Sequence, residues 1–201
     1  MILVLRAASM SGLPFYIAEE KGFFDRENVK VRCIHSHDPK RRIVQLLVEG
    51  EVAFYTSISA IVEAVTQGVK VKALCATSTS YPDKDDAWPE GCLATSQALI
   101  EEKPEVIQKV VNAVVTATEY ARSHKEEALA VAMNHVGYLG KEAVEGNYEV
   151  LREWYSNDIS ETAIAHIVEV LELKNEPVKQ LRLEDFADLS FLMQTRQGLR
   201  R

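Results

Sequence analysis

The fold class of this chain of 201 residues is decided by residues 52–76, Val52-Ala-Phe-Tyr-Thr-Ser-Ile-Ser-Ala-Ile-Val-Glu-Ala-Val-Thr-Gln-Gly-Val-Lys-Val-Lys-Ala-Leu-Cys-Ala76. The apolar run Val52–Tyr55 is typical of a short buried strand. The segment Ile58–Thr66 has helical periodicity and stops before Gly68, and the second apolar run Val69–Ala76 follows directly. A strand, a helix and a strand in such close succession predict a βαβ unit with parallel strands.

The sequence before this unit repeats the same alternation. Ile2–Leu5 is a short apolar run, and Pro14 opens a helical segment, since the missing N–H of proline costs nothing in a first turn. Val29–Ile34 alternates between apolar and polar residues, as a strand does, and Arg41–Glu49 has a helical apolar face that ends at Gly50. The order βαβαβαβ in the first part of the chain predicts an α/β fold with a mostly parallel sheet flanked by helices.

The second half has a different character. Residues 77–89 are polar and rich in turn-forming residues, and the short apolar piece Cys92–Ala94 follows. Helical periodicity then predicts helices over residues 104–122, 128–134, 141–154 and 160–171, with a final turn and short helix after residue 184. We therefore predict one α/β domain over residues 1–201, made of βα repeats (1–81), a connector (82–91), and a return strand with a helical C-terminal part (92–201).

Composition and charge exclude several classes of protein. The chain has 30 acidic and 23 basic residues, a net charge of −7, and no apolar stretch long enough to span a bilayer. We predict neither a nucleic-acid partner nor a membrane span. Cys33, Cys75 and Cys92 lie far apart and are odd in number, which predicts reduced, buried thiols. Because Met1–Arg6 lacks the pattern of a secretory signal, the predicted location is cytoplasmic, or extracytoplasmic if an upstream signal was removed.

The candidate ligand site lies at the carboxyl ends of the predicted strands. Ligands of open parallel sheets bind there, beside helix N-termini that present unpaired N–H groups. The loops at this edge hold hydroxyls, histidines and aromatic rings, which favour a small anionic or pyrimidine-like organic ligand. The predicted ligand-binding residues are Ser9, Ser11, Gly12, Leu13, Phe15, Tyr16, His35, His37, Tyr55, Thr56, Ser57, Thr77, Ser78 and Tyr81. The alternative interpretation is that the hydroxyls cap helices and the rings belong to the core.

Metal and catalytic chemistry have little support in the sequence. Cys33, His35 and His37 alternate on one predicted strand and have the donor atoms of a zinc or iron site. Same-side positions on a strand are about 6.5–7 Å apart, however, so three such ligands converge poorly on one ion. The G-x-S-x-G, G-x-x-x-x-G-K-[ST], G-x-G-x-x-G and H-E-x-x-H motifs are all absent from the sequence. We predict no catalytic residue, no metal and no cofactor.

Several segments resemble one protein family. They are Leu13-Pro-Phe-Tyr-Ile-Ala-Glu-Glu-Lys-Gly-Phe-Phe24, Leu47-Val-Glu-Gly-Glu-Val-Ala-Phe54, Ala94-Thr-Ser96, Pro104-Glu-Val106 and Glu184-Asp-Phe-Ala-Asp-Leu-Ser190. In this order they are similar to the substrate-binding proteins of ABC importers for sulfonates, nitrate and thiamin-pyrimidine precursors, and to the related pyrimidine synthases of thiamin biosynthesis. This resemblance covers most of the chain. It implies the fold of a type II periplasmic binding protein.

The resemblance also implies a departure from the family pattern. Its binding proteins hold ligand between two lobes, whereas here Tyr81–Gly91 joins the two parts directly, so the chain resembles a single lobe. The synthases carry a cysteine-rich iron-binding motif that this sequence lacks. The expected function is therefore small-molecule binding without catalysis. The alternatives are a cytoplasmic thiamin-pyrimidine synthase-like enzyme and a regulatory or interaction protein. Expected partners are a small organic ligand, a second copy in a homodimer, and an ABC permease or another partner protein.

Overall fold

The computed structural model describes residues 1–5, 8–80, 88–173 and 181–199. The strands in these ranges are β1 (Ile2–Leu5), β2 (Arg32–His35), β3 (Phe54–Tyr55), β4 (Val71–Ser80) and β5 (Trp88–Ser96). The helices are α1 (Leu13–Glu20), α2 (Phe23–Arg26), α3 (Lys40–Glu49), α4 (Ile58–Thr66), α5 (Gln97–Glu102), α6 (Pro104–Ser123), α7 (Lys125–Val136), α8 (Lys141–Leu151), α9 (Glu161–Leu173), α10 (Leu183–Phe186) and α11 (Ser190–Leu199). Short 3₁₀ turns cover Met10–Gly12, Gly137–Leu139 and Arg152–Trp154.

The five strands form one mixed sheet in the order β2-β1-β3-β5-β4. Strand β1 pairs in parallel with β2 and β3, whereas β5 runs antiparallel to both β3 and β4. The prediction of an α/β fold with a helical C-terminal part is confirmed, and the prediction of a mostly parallel sheet is corrected to a mixed one. The reason is that β4 and β5 follow each other closely in the chain, and strands joined by a short connection pair antiparallel. The division of the chain into 1–81, 82–91 and 92–201 stays a prediction.

Each face of the sheet carries its own apolar core, because successive strand side chains point to opposite faces. Leu3 and Leu5 lie on the face covered by α1, α2, α6, α7, α8 and α11. Val4 lies on the other face, covered by α3, α4, α9 and α10. Both faces of β1 and β3 are therefore buried, which explains why these two strands are apolar without alternation. No helix in the four described ranges is both long and apolar enough to cross a membrane.

Local sequence signals placed most helix boundaries correctly. Pro14 and Pro104 occupy first-turn positions of α1 and α6, Gly50 ends α3 in a left-handed conformation, and the Ser96 hydroxyl caps α5. Part of the polar segment 77–89 is strand rather than turn. Strand β4 continues to Ser80 and β5 begins at Trp88, because backbone pairing extends the hairpin into residues whose polar composition is typical of turns.

The two edges of the sheet are protected by side chains and loops. At the β2 edge the Glu19 carboxylate accepts a hydrogen bond from the Cys33 backbone N–H at 3.1 Å. At the β4 edge the Asp188 N–H donates to the Ala73 carbonyl at 2.8 Å, and Asn157 binds both backbone groups of Ala76. Unpaired edges invite association with other chains, and these contacts prevent it at the residues named. The carboxyl ends of the strands are the part of the sheet that bears on ligand binding.

The helix-ending glycine of α3 gives a direct test of these boundaries. Gly50 has φ +79°, a conformation that places strain on any residue with a Cβ, although open space surrounds it. We expect Gly50→Ala to lower the free energy of unfolding by about 1 kcal/mol. The matched control is Gly146→Ala, at an exposed helical position of α8 with equally open surroundings, which should raise stability by about 0.5–1 kcal/mol. Urea unfolding measures the change in the free energy of unfolding for both variants. Changes in the same direction would contradict the role of Gly50 as the left-handed residue that ends α3.

Candidate functional site

The carboxyl ends of β1, β3 and β4 meet at one edge of the sheet, beside the start of the antiparallel strand β5. The loop after β1, the link from β3 to α4, and the end of β4 bring hydroxyl side chains to this edge. We call the group the strand-tip site. It comprises Ser9, Ser11, Thr56, Ser57, Thr77, Ser78 and Gly91.

The inner layer of the strand-tip site is formed by two buried hydroxyls beside a glycine. Ser78 pairs with Gly91 across the β4–β5 ladder, where the register is irregular. A Cβ at Gly91 would lie 2.7 Å from Thr77 Oγ1, 3.7 Å from Ser78 Oγ and 3.8 Å from the Ser11 carbonyl oxygen. In the described part of the chain, Thr77 Oγ1 and Ser78 Oγ are buried and have no hydrogen-bond partner. Buried hydroxyls without a partner cost free energy, and a bound water, ion or ligand is one way in which such groups are satisfied.

The outer layer consists of four half-buried hydroxyl residues. Ser9 Oγ and Ser11 Oγ share a hydrogen bond of 2.9 Å on the 3₁₀ turn. Thr56 is held beside β5 because its carbonyl oxygen accepts from the Cys92 N–H at 3.3 Å. The Ser57 hydroxyl follows at the N-cap of α4 and does not cap that helix. The sequence predicts that these hydroxyls either cap helices or face a ligand, and for Ser57 the first alternative is wrong.

Positive charge is concentrated where this outer layer meets α4. The helix has nine residues and begins immediately after Ser57, so its first turn carries the positive end of the helix dipole. The Lys40 ammonium at the start of α3 donates to Ser59 Oγ in that first turn at 2.9 Å. A lysine and a helix N-terminus beside several hydroxyls form an environment that attracts anions.

The remaining predicted residues of the first loop lie below the surface. Gly12 is the buried N-cap of α1, and Leu13 and Phe15 are at most 1% exposed in the core. Tyr16 is buried beneath the same loop, where its hydroxyl oxygen accepts from the Ser9 N–H at 3.3 Å, and burial raises the pKa of Tyr16 to about 12. Tyr55 is fully buried against the other face of the sheet. In this structure these rings pack in the core, and Tyr81 lies outside the described residues.

The histidines and the first cysteine lie on the opposite side of β1 from the strand-tip site. His35 and His37 are exposed at the end of β2, and burial together with the nearby His135 lowers the pKa of His35. Cys33 is half-buried and donates weakly to the Phe15 carbonyl at 3.9 Å. In the ranges that the structure describes, no three His, Cys, Asp or Glu side chains are arranged to hold a metal ion.

The three cysteines are free thiols in this structure. Burial raises the pKa of Cys33 and Cys92 well above the ordinary thiol value, and that of Cys75 to about 12. A raised pKa keeps these groups protonated near neutral pH, and the thiolate is the reactive form. These residues are thus small apolar groups rather than nucleophiles.

Three residues that the fold brings to this edge were not predicted from the sequence. Gly91 had been placed in the connector, although a glycine inside a strand is a known sign of close backbone approach. Lys40 was not among the predicted site residues, because nothing in its sequence neighbourhood separates it from the adjacent Arg41 and Arg42. Tyr138, which donates to the Ala8 carbonyl at 3.1 Å, was not considered because it is far from the βα repeats in sequence. The sequence signal for Tyr138 was the pair of large side chains Tyr138-Leu139 between two glycines.

Comparison with known proteins supports the resemblance found in the sequence. The model of the NMT1/THI5-like family matches residues 10–84. These residues include α1, β3, α4 and β4, and therefore five of the seven members of the strand-tip site, all except Ser9 and Gly91. No curated protein sequence matches the chain.

Solved structures match over nearly the whole length. A protein from Bordetella bronchiseptica RB50 matches with a TM-score of 0.82 at 12% identity, covering 100% of this chain and 98% of that one. The periplasmic nitrate-binding protein NrtA from Synechocystis PCC 6803 matches with a TM-score of 0.74 at 10% identity (98% and 88%). The periplasmic aliphatic sulphonate-binding protein SsuA from Escherichia coli matches with a TM-score of 0.68 at 10% identity (93% and 96%). These matches confirm the predicted relationship in fold to sulfonate- and nitrate-binding proteins.

Proposed function

Since residues 10–84 match the NMT1/THI5-like family and the whole chain has the fold of ABC-importer substrate-binding proteins, we propose that this protein binds a small organic anion at the strand-tip site without transforming it. The observation that carries the proposal is the pair of buried, unpartnered hydroxyls of Thr77 and Ser78 beside Gly91. Their position at the carboxyl edge of the sheet is where ligands of α/β folds bind.

The charge of the site favours an anion over a neutral ligand. The protein carries a net charge of −7, yet Lys40 and the start of α4 make this edge locally positive. Hydrogen bonds to a charged ligand contribute about 1.5–3 kcal/mol each, roughly twice the contribution of bonds between neutral groups. An oxyanion can also accept from several hydroxyls at once. A neutral pyrimidine, the other ligand considered from the sequence, would use only part of this environment.

The similarity to known binding proteins points to the same ligand chemistry. Nitrate and aliphatic sulphonates, which the matched proteins are named for binding, are oxyanions without hydrogen-bond donors on the charged group. The strand-tip site offers the complementary set, hydroxyl donors and a helix N-terminus. The ligand proposed for this chain belongs to that chemical class.

Binding without catalysis is supported by the partners of the hydroxyls. In the described part of the chain, the hydrogen bonds of the six strand-tip hydroxyls include no histidine and no carboxylate. A serine or threonine becomes a nucleophile only when an adjacent base accepts its proton. The synthase-like enzyme and the regulatory protein remain the alternatives, and the homodimer, the permease partner and the cellular location stay predictions.

The proposal is tested by thermal unfolding and calorimetry with sulfate, nitrate, methanesulfonate and neutral uracil. At a concentration one hundred times its Kd, a ligand that binds only the folded state adds about 2.7 kcal/mol of stability. For a chain of this size that corresponds to a rise in Tm of about 5–10 °C. We expect such a rise with at least one of the three anions and a smaller one or none with uracil.

Two variants and their controls locate the binding. Lys40→Gln and Thr56→Val should each weaken anion binding by about tenfold, because each removes a donor to a charged ligand. The matched controls are Lys30→Gln, at the opposite edge of the sheet beside Met1, and Thr116→Val, on the exposed face of α6. Both controls should bind as the parent protein does. The proposal would be contradicted if none of the anions raised Tm or bound in calorimetry. It would also be contradicted if the variants and the controls lost the same amount of anion affinity.

A further inference from the structure

An exposed aromatic side chain lies on the short turn between α7 and α8. Tyr138 is 73% exposed and the adjacent Leu139 is 44% exposed, although both are large apolar groups. The turn is bounded by Gly137 and Gly140, and Gly140 has φ +88°. Single exposed apolar side chains are common on proteins, so the contacts that fix this pair in place carry the argument.

The turn is fixed against the loop that carries the first two hydroxyls of the strand-tip site. Tyr138 Oη donates to the Ala8 carbonyl at 3.1 Å, one residue before Ser9. A second contact lies just before the turn, where the His135 ring at the end of α7 stacks on Tyr16 with centroids 4.0 Å apart and an interplanar angle of 3°. Tyr16 in turn accepts from the Ser9 N–H.

The position of α7 is further held by hydrogen bonds to Glu20. His135 Nε2 lies 2.7 Å from Glu20 Oε1, and the Asn134 amide donates to the same carboxylate. Four separate contacts thus join the α7 end and its turn to α1 and to the first loop. The Tyr138 ring is therefore held at the border of the strand-tip site while most of its surface stays in solvent.

We propose that Tyr138 forms an apolar wall of the strand-tip site and makes the protein selective for organic anions that carry a flat apolar group. This inference rests on the function proposed above, because it assigns the charged end of the ligand to the hydroxyls and the rest of the ligand to the tyrosine ring. The exposed ring gains contact area when a flat group packs against it, and aromatic pairs add a specific attraction. Leu139 extends the same apolar surface.

The role of the tyrosine is separable from that of the hydroxyls. A small anion such as methanesulfonate reaches the hydroxyls but has little apolar surface to place against Tyr138. Benzenesulfonate has the same charged group and adds an aromatic ring. The ratio of the two affinities therefore reports on the wall alone, while the affinity for methanesulfonate reports on the hydroxyls and on Lys40.

The experiment is isothermal titration of both sulfonates into the full chain and three variants. In the parent protein we expect benzenesulfonate to bind at least fivefold more tightly than methanesulfonate. Tyr138→Ala should reduce this preference to less than twofold and leave methanesulfonate affinity within about twofold. Tyr138→Phe should keep the preference, since it retains the ring. Val150→Ala, an exposed apolar position on α8, is the control and should behave as the parent protein does.

Each outcome separates this inference from the function on which it rests. If the parent protein binds both sulfonates equally, or if Tyr138→Ala still prefers benzenesulfonate, Tyr138 does not form the apolar wall. The proposed anion site is unaffected by that result. If Tyr138→Phe loses the preference, the hydroxyl rather than the ring is responsible, which also overturns it. If neither sulfonate, sulfate nor nitrate binds the parent protein, the proposed function fails and this inference fails with it.

Discussion

Replacing Asn157 by alanine lowers the free energy of unfolding by about 2–4 kcal/mol, the largest effect expected of any single substitution discussed for this protein. The side chain is 4% exposed and lies, in the chain, between the 3₁₀ turn Arg152–Trp154 and α9. Its amide donates to the Ala76 carbonyl at 2.9 Å and to Thr118 Oγ1 at 3.0 Å. The backbone carbonyl of Asn157 also accepts a hydrogen bond from the Ala76 backbone N–H at 3.1 Å.

The cost arises because the alanine variant leaves buried acceptors without a donor. Removing one partner from a buried hydrogen bond costs the full desolvation of the other, about 1–3 kcal/mol for each group. The Ala76 carbonyl and the Thr118 hydroxyl oxygen are both affected. Asn157 thereby joins β4 to α6 through one side chain, and its loss weakens the edge of the sheet nearest the strand-tip site.

Urea unfolding followed by circular dichroism measures this effect. The control is Asn147→Ala, because the Asn147 amide makes a comparable hydrogen bond to the Ala143 carbonyl on the exposed surface of α8. Its change should stay within about 0.5 kcal/mol, as is usual for surface positions. A similar loss in both variants would show that the Asn157 network does not carry the stability assigned to it.

Replacing Gly91 by alanine is expected to lower stability by about 1–3 kcal/mol and to weaken anion binding as well. The new Cβ would lie 2.7 Å from Thr77 Oγ1, closer than real Cβ contacts come, so either the strand or the threonine must move. Extra atoms in a packed interior usually cost this much. Because the clash occurs within the strand-tip site, the shift also displaces the hydroxyls from their places around the ligand.

A double-mutant comparison isolates the contact. Thr77→Ala removes the clashing atom, so Gly91→Ala should cost less than about 1 kcal/mol in that background. Thr77→Val keeps the branched shape, and in that background the full cost should return. Denaturant midpoints of the six proteins, together with calorimetry using methanesulfonate, give both readouts. An equal cost of Gly91→Ala in the parent and Thr77→Ala backgrounds would refute the role assigned to this contact.

Much of the candidate site was predictable because its hydroxyls follow apolar strands directly in sequence. Ser9, Thr56 and Thr77 each come at or after the end of a run that is apolar enough to predict a buried strand, and the carboxyl ends of parallel strands share one edge. The aromatic residues were harder to place. Phe15 and Tyr55 are equally suited to a ligand wall and to a core, and only their packing distinguishes the two.

The amino-acid sequence by itself determined the α/β class, the helix ends at Gly50 and Pro104, and the strand-tip hydroxyls. These features depend on residues close together in the chain, such as a proline's fixed φ, a glycine's left-handed φ and the period of apolar side chains. The tertiary structure alone decided that β5 runs antiparallel between β3 and β4, that Gly91 faces Thr77, and that Tyr138 reaches Ala8. Such pairings join residues distant in sequence, and they are selected by the packing free energy of the whole chain, which no local pattern contains.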